Sequence, residues 1–250
     1  MIIYAVSDVH IKYNENQDDL ERKNIFVRFL ESIHADADVL ILNGDIFDLW
    51  IEWKYIQIAA YFPVIRQLKK LSEKGCRIIY LAGNHDFWMG EYLKKEIGAG
   101  IYPDHCRVEL DNKNYFISHG DLLTINDMRY HIFRAVIRRT IVKRIVQMLH
   151  PDFVLKIGAG LSRTSRNRTK PRRLGERQGQ GLFNYAKAHA DEYDIFLMGH
   201  IHQPKIEKIE KSILVNSGDW ITHRTYVKII DGEPQLMDFE TNKQYSLKEK

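Results

Sequence analysis

Five short polar motifs hold most of the groups in this chain that could do chemistry. They are Ser7-Asp8-Val9-His10, Gly44-Asp45-Ile46-Phe47-Asp48, Gly83-Asn84-His85-Asp86, His119-Gly120-Asp121 and Gly199-His200-Ile201-His202. Their donors are carboxylates, imidazoles and an amide oxygen, with no thiolate. That set suits Mn²⁺, Fe²⁺ or Zn²⁺ rather than a structural cysteine-zinc site. Seven candidate ligands (Asp8, His10, Asp45, Asn84, His119, His200 and His202) exceed what one ion needs. Two ions sharing Asp45 would use all seven. Such a pair, roughly 3.5–4 Å apart, can acidify a water, bind phosphate oxygens and stabilise an in-line displacement. Most of these motifs are weak alone: Asp-X-His is often a turn or a cap, and Gly-Asn-His-Asp an Asx turn, whereas Gly-His-Ile-His after an apolar strand is more specific. Together and in this order they point to a dinuclear metal site.

The elements around these motifs explain how they would meet. Residues 2–6, 39–42, 77–81, 115–118 and 195–198 are apolar runs with the length of strands, and each ends one to four residues before a motif. Between the first three lie helical spacings: Phe26, Phe29, Leu30 and Ile33, with Asp18 and Asp19 as candidate cap residues, then Tyr61, Val64, Ile65 and Leu68. Pro63 would start or kink the second helix. A β-α-β-α-β order predicts an α/β fold with a parallel sheet and helices on both faces. Ligands in such sheets gather beyond the carboxyl ends of the strands. An extended backbone would point Asp8 and His10 to the same side. Gly44, Gly83, Gly120 and Gly199 suit tight turns where backbones approach closely. From Lys205 onward, apolar and polar residues alternate between turn signals at Asn216-Ser217-Gly218 and Asp231-Gly232, which predicts an antiparallel finish to a second sheet.

The strand pattern vanishes between Leu122 and Tyr193. Ile141, Val142, Ile145 and Val146 spread around a helical wheel, so this segment needs more than one apolar contact. We read residues 122–181 as a helical insertion, or cap, containing an Arg/Ser/Thr-rich loop at 162–173. The core would be residues 1–121 and 182–240, followed by a polar, fraying tail at 241–250. The charge balance sharpens this division. Residues 129–177 contain 14 Lys or Arg against two acids, a local charge of +12. The whole chain is only +4, so the remainder carries −8. A block that basic points to an anionic partner.

Composition excludes other classes. With 44% hydrophobic residues among 250, one sizeable core is possible. A mean hydropathy of −0.37 without a long apolar run argues against a membrane-spanning helix. The opening apolar run is too short for a signal peptide and has no basic residues before it. Cys76 and Cys106 lack metal-ligand spacing, and two thiols in this context suggest reduced cysteines in a cytosolic protein.

The motif set, over residue 2 to about residue 220, resembles the calcineurin-like metallophosphoesterase superfamily. The resemblance implies a four-layer α/β/β/α sandwich. It also implies that one ion takes Asp8, His10, Asp45 and His202, and the other Asp45, Asn84, His119 and His200. His85 then stands at the leaving group or transferred phosphoryl, positioned by Asp48, where an imidazole can donate a proton or hydrogen bond. Asp86 and Asp121 would orient ligands.

Further details are similar to the UDP-2,3-diacylglucosamine diphosphatase family of lipid A synthesis: the aromatic tail Phe47-Asp48-Leu49-Trp50, Phe87 after Asp86, Ser217-Gly218-Asp219-Trp220, and the basic-apolar insertion. That resemblance implies hydrolysis of the substrate pyrophosphate to UMP and 2,3-diacylglucosamine 1-phosphate. It implies Mn²⁺, a cytoplasmic enzyme peripheral on the inner membrane, and acyl chains under a helical cap. One position departs: His85 replaces the family's usual arginine. In the insertion, Ile137 and Ile141 offer apolar surface, and Arg134, Arg138, Arg163 and Arg166 offer charge, a mixture suited to a phosphorylated glycolipid or an anionic membrane face. The alternatives are a soluble phosphodiesterase or nucleotide pyrophosphatase, a nuclease, and a non-catalytic scaffold. Aromatics for stacking single strands are sparse in the basic block (Tyr130, Phe133 and Phe153), which argues against nucleic acid.

Overall fold

The computed structural model describes residues 1–124, 128–167 and 172–249; the side chains of 128, 129, 159, 161–167, 172–177, 248 and 249 lie outside the description. The first part of the chain runs β1 (Ile2–Val6), α1 (Gln17–Ser32), β2 (Val39–Asn43), α2 (Phe62–Glu73), β3 (Arg77–Leu81), α3 (Glu91–Ile97) and β4 (Gly100–Tyr102). Strands β1 to β4 pair in parallel, as the alternation of elements predicts. Asn16 caps α1 in a reciprocal box with Asp19, so the cap lies two residues before Asp18. Pro63 sits in the first turn of α2, where its missing N–H costs nothing, and so starts that helix.

A β5 (His105–Leu110) and β6 (Lys113–Ser118) hairpin opens the second sheet. Four helices follow: α4 (Met128–Ile137), α5 (Thr140–Met148), α6 (Pro151–Asn167) and α7 (Arg172–Ala188). Then come β7 (Ile195–Met198), β8 (Lys205–Ile209), β9 (Ser212–Asn216), β10 (Thr225–Ile230), β11 (Glu233–Asp238) and β12 (Lys248–Glu249). The two six-stranded sheets have the orders β11-β10-β1-β2-β3-β4 and β12-β8-β9-β7-β6-β5.

Strand periodicity builds the layers. In β1, Ile3 and Ala5 face the second sheet across a core with Ile117, Leu197 and Val215. Tyr4 and Val6 face the other way, onto Phe26, Phe29 and Leu30 of α1. On the far side, Phe116, Phe196 and Met198 pack on Leu182 and Ala186 of α7. The result is helix, sheet, sheet, helix.

Three expectations change. The tail does not finish one sheet: β8 and β9 join the second sheet, whereas β10 returns to pair antiparallel with β1. Helix α6 runs on to Asn167, through the start of the expected Arg/Ser/Thr loop. The polar tail does not simply fray, because the Tyr245 amide donates to the Leu236 carbonyl and β12 pairs with β8. Backbone pairing at a sheet edge needs no apolar side chains.

Helices α4 to α6 lie over the loops that follow β2 and β3. Ile137, Val142, Val146 and Val154 pack on Ile51, Trp53 and Trp88. Trp88 Nε1 donates to the Ile137 carbonyl at 3.1 Å, and Tyr13 Oη donates to the Leu155 carbonyl. The two apolar faces of α5 divide: Val142 and Val146 pack inward, while Ile141 and Ile145 stay exposed. Among the described residues, no helix is long and apolar enough to cross a membrane. Cys76 and Cys106 are both buried free thiols.

Candidate metal centre

Strands β1, β2, β3, β6 and β7 all end at one edge of the sandwich, and all seven expected ligands lie just past those ends. They form two poles. At the first, Asp8 Oδ1 is 3.1 Å from His202 Nε2, the two imidazole Nε2 atoms of His10 and His202 are 3.4 Å apart, and Asp45 Oδ2 is 3.7 Å from His10 Nε2. At the second, Asn84 Oδ1 lies 3.1 Å from His119 Nε2 and 2.9 Å from His200 Nδ1. Asp45 Oδ2 also lies 3.5 Å from His119 Nε2, so one carboxylate oxygen faces both poles. Around an ion with bonds of about 2.1 Å, tetrahedral ligand atoms stand roughly 3–3.5 Å apart, which these separations approach. Asp8 Oδ1 is fully buried, and its close neighbours are imidazole nitrogens. A buried anionic oxygen ringed by imidazole nitrogens fits a cation.

The backbone achieves this by a route that an extended strand would not supply. Asp8, His10, Asp45, His200 and His202 all have left-handed φ values of 51–68°. The Asp8 amide donates to the Gly44 carbonyl and the His10 amide to the Asp45 carbonyl, which locks the first two loops together. The turns pack too tightly for side chains at two glycines. A Cβ on Gly83 would run into the Asp45 carboxylate, and one on Gly199 would stand 2.8 Å from Asp8 Oδ2.

Asp86, expected to orient ligands, lies behind the Asp45 turn. Its buried carboxylate accepts the amides of Asp45, Ile46 and Gly83 at 2.8–3.0 Å and the Tyr80 hydroxyl at 2.7 Å. Burial and the neighbouring Asp45 raise its pKa. Asp48 serves two imidazoles: its Oδ1 is 3.4 Å from His10 Nδ1 and 3.5 Å from His85 Nδ1, and its carbonyl is 3.1 Å from His85 Nδ1. The His85 amide donates to Asp45 Oδ1, so His85 stands beside both poles.

Protonation shows the same demand for positive charge. Burial opposes it, but Asp45 and Asp8 raise His119 to about 10, and Asp8 and Asp219 raise His202 to about 10. Burial also opposes ionisation of Asp8 and Asp45, yet His202 holds Asp8 low and His119 with His85 holds Asp45 low. Burial lowers His10 in spite of Asp48 and Asp45. Buried carboxylates that must recruit imidazolium charge are carboxylates that a divalent cation would satisfy.

Other expected site residues take different places. Asp121 binds α4: it accepts from the Tyr130 hydroxyl and from Arg134 Nε at 3.0 Å, while His119 and His200 outweigh burial and keep its pKa low. Arg134 and Arg138, expected at the substrate, spend donors within the protein. Arg134 also reaches Asp104, and Arg138 donates to the carbonyls of Pro103 and Gly83 at 2.7 and 2.8 Å. Ile137 is partly buried against the Trp88 cluster, and Ile141 is exposed. The side chains of Arg163 and Arg166 lie outside the described residues. Two residues without an expected role join the site: Tyr130 on Asp121, and Asp219, whose Oδ2 is 3.2 Å from His202 Nδ1. The Ser-Gly-Asp-Trp motif was visible in the sequence, but only the fold brings it to His202.

Comparison with known proteins agrees with this geometry. The model of the calcineurin-like phosphoesterase family matches residues 1–204. A UDP-2,3-diacylglucosamine hydrolase of Porphyromonas gingivalis is 28% identical over 258 residues, covering 94% of this chain and 96% of the relative. A protein of the same name from Haemophilus influenzae (strain KW20 / Rd) is 30% identical over 228 residues, covering 91% and 93%. One from Neisseria meningitidis serogroup A is 27% identical over 233 residues, covering 92% and 94%.

Proposed function

Since this chain belongs to the calcineurin-like phosphoesterase family and is a metal-dependent phosphoesterase, we propose that it hydrolyses the pyrophosphate of UDP-2,3-diacylglucosamine. The products are UMP and 2,3-diacylglucosamine 1-phosphate. The carrying observation is the convergence of seven donors into two poles that share Asp45, beside helices with an exposed apolar face.

Two divalent ions at these poles, which we take to be Mn²⁺, would acidify a water and neutralise phosphoryl charge. Asp8, His10, Asp45 and His202 would hold one position; Asp45, Asn84, His119 and His200 would hold the other. His85, held at Nδ1 by Asp48, offers Nε2 as a hydrogen-bond or proton donor to the phosphoryl group or the leaving oxygen. Asp86 keeps the Asp45 loop rigid through the amides of Asp45, Ile46 and Phe47.

The lipid part of the reading rests on α4 to α6. The Tyr130, Arg134 and Arg138 side chains, one helical turn apart, pin α4 to the site edge. Its other side leaves Ile132, Phe133 and Val136 exposed, and Ile141, Ile145 and Phe153 extend the apolar surface over α5 and α6. Arg139, just before α5, and Arg144, within it, are exposed beside that surface. In this reading residues 122–181 are the cap, the acyl chains lie against its apolar surface, and the basic residues rest on the anionic cytoplasmic face of the inner membrane. The deciding experiment incubates purified protein with Mn²⁺ and UDP-2,3-diacylglucosamine and follows UMP. Release of UMP that requires both the metal and the acyl chains is expected. Equal turnover of a UDP-sugar without acyl chains would replace the lipid substrate with a soluble nucleotide-sugar diphosphate.

A further inference from the structure

We propose that Asp219 is a positioning residue for the metal centre: its carboxylate holds the proton of His202 on Nδ1 and so keeps Nε2 bare for the first ion. This rests on the reading that the two poles hold ions.

Each imidazole that offers Nε2 to a pole needs an oxygen at Nδ1 to fix its tautomer. His119 has the Asn43 carbonyl at 3.0 Å, and His10 has Asp48 Oδ1 at 3.4 Å. For His202 the oxygen is Asp219 Oδ2, at 3.2 Å. The need is greatest here. The His202 side chain is 35% exposed, against 5% for His10 and 0% for His119, so packing alone does not hold the ring.

Asp219 is itself held in place. It is buried, and its other oxygen, Oδ1, accepts the amides of Thr222 and His223 at 2.8 and 3.0 Å. With Oδ1 held by two amides and faced by His223 Nδ1 at 3.4 Å, Oδ2 is the oxygen aimed at His202. The same turn is tied to another ligand, because the Trp220 amide donates to the Asp8 carbonyl at 3.1 Å. The Ser217 hydroxyl lies 2.7 Å from that of Ser7, next to Asp8. The turn between β9 and β10 therefore sets both Asp8 and His202.

Asp219→Asn separates this role from a structural one. The two amides will keep an oxygen at Oδ1, which turns the new NH₂ toward His202 Nδ1. A donor there requires Nδ1 to be the acceptor and moves the ring proton to Nε2, the atom that should face the ion. Mn²⁺ binding is then read by calorimetry on metal-stripped protein. One of the two sites is expected to weaken about 10–100-fold, the usual effect of losing an oxygen that orients a ligating imidazole. The other site should keep its affinity, and the metal-free variant should stay folded, with a melting temperature lowered only by the loss of the Asp219–His202 ion pair. Asp219→Ser, which can still accept the Thr222 amide but not reach His202, should weaken the same site. Two sites of parental affinity in either folded variant would overturn the proposal, as would equal loss at both sites. Parental protein that takes up no Mn²⁺ would instead sink the metal-centre reading beneath it.

Discussion

The contact between Arg134 and Asp121 gives a prediction whose size follows from the geometry. Arg134 projects from α4 and donates from Nε to a carboxylate that is only 3% exposed. Its other contact, Asp104, is 46% exposed. Arg134→Met keeps much of the volume of the stem and removes the charge. Stranding a buried carboxylate costs about 3–5 kcal/mol when nothing else supports it. Here the Tyr130 hydroxyl still donates, and His119 and His200 still supply positive charge, so the lower end of that range applies. The exposed Asp104 contact adds no more than about 1 kcal/mol. We therefore expect a loss of about 3 kcal/mol in the urea unfolding of metal-free protein, seen as a lower midpoint at unchanged slope. Asp121→Asn removes the charge that Arg134 answers. The double variant should consequently be more stable than the two single losses predict, by about 1–3 kcal/mol. A single loss below about 1 kcal/mol, or strict additivity, would refute the view that this pair anchors α4 to the metal edge.

Three further outcomes follow from the site. His85→Ala should slow turnover at least about 100-fold while both ions still bind, because its place is at the phosphoryl group; loss of metal would make it a ligand instead. Replacing Ile141 and Ile145 with Asp should change stability by less than about 0.5 kcal/mol per position, since both are exposed, yet sharply reduce binding to anionic vesicles; undiminished binding would remove the membrane reading. In metal-free protein His119 and His202 are raised from 6.5 to about 10, so their protonation stabilises the fold fully below about pH 6.5, and that contribution is lost as pH rises through about 10. Mn²⁺ competes for the same nitrogens, so its affinity should increase with pH over that window and its binding should release protons, which calorimetry in buffers of different ionisation enthalpy can count; an affinity flat between about pH 7 and pH 9 would contradict this.

Much of the site was legible because its residues obey a local rule. Asp8, Asp45, Asn84, His119 and His200 each follow an apolar run, and parallel strands must bring those ends to one edge. The left-handed turns that actually aim Asp8 and His10 left no trace in the spacing. What lay beyond reach depends on contacts far apart in sequence. Nothing local says that β10 pairs with β1, 222 to 228 residues away, rather than with β9. Helical period locates the faces of α4 but not which one turns inward. The inward face is the polar one, with Tyr130, Arg134 and Arg138, because its partners Asp121, Asp104 and Gly83 sit on the core. Asp219 was readable as part of a motif, but its function requires His202 at its side. The first residues of the basic Arg/Ser/Thr stretch continue α6, since arginine is a good helix former and a few polar residues do not end a helix already begun.

Five ligand positions in left-handed backbone have a consequence for how this protein can change. An L-residue in that conformation costs roughly 1–2 kcal/mol, so the loops carry several kcal/mol of strain before any ion arrives. Glycine at any of the five would relax the chain and delete a donor. Selection for a sturdier scaffold and selection for turnover therefore pull against each other at the same positions. A screen for thermal tolerance alone, run without metal, would be drawn toward variants that fold better and hydrolyse nothing.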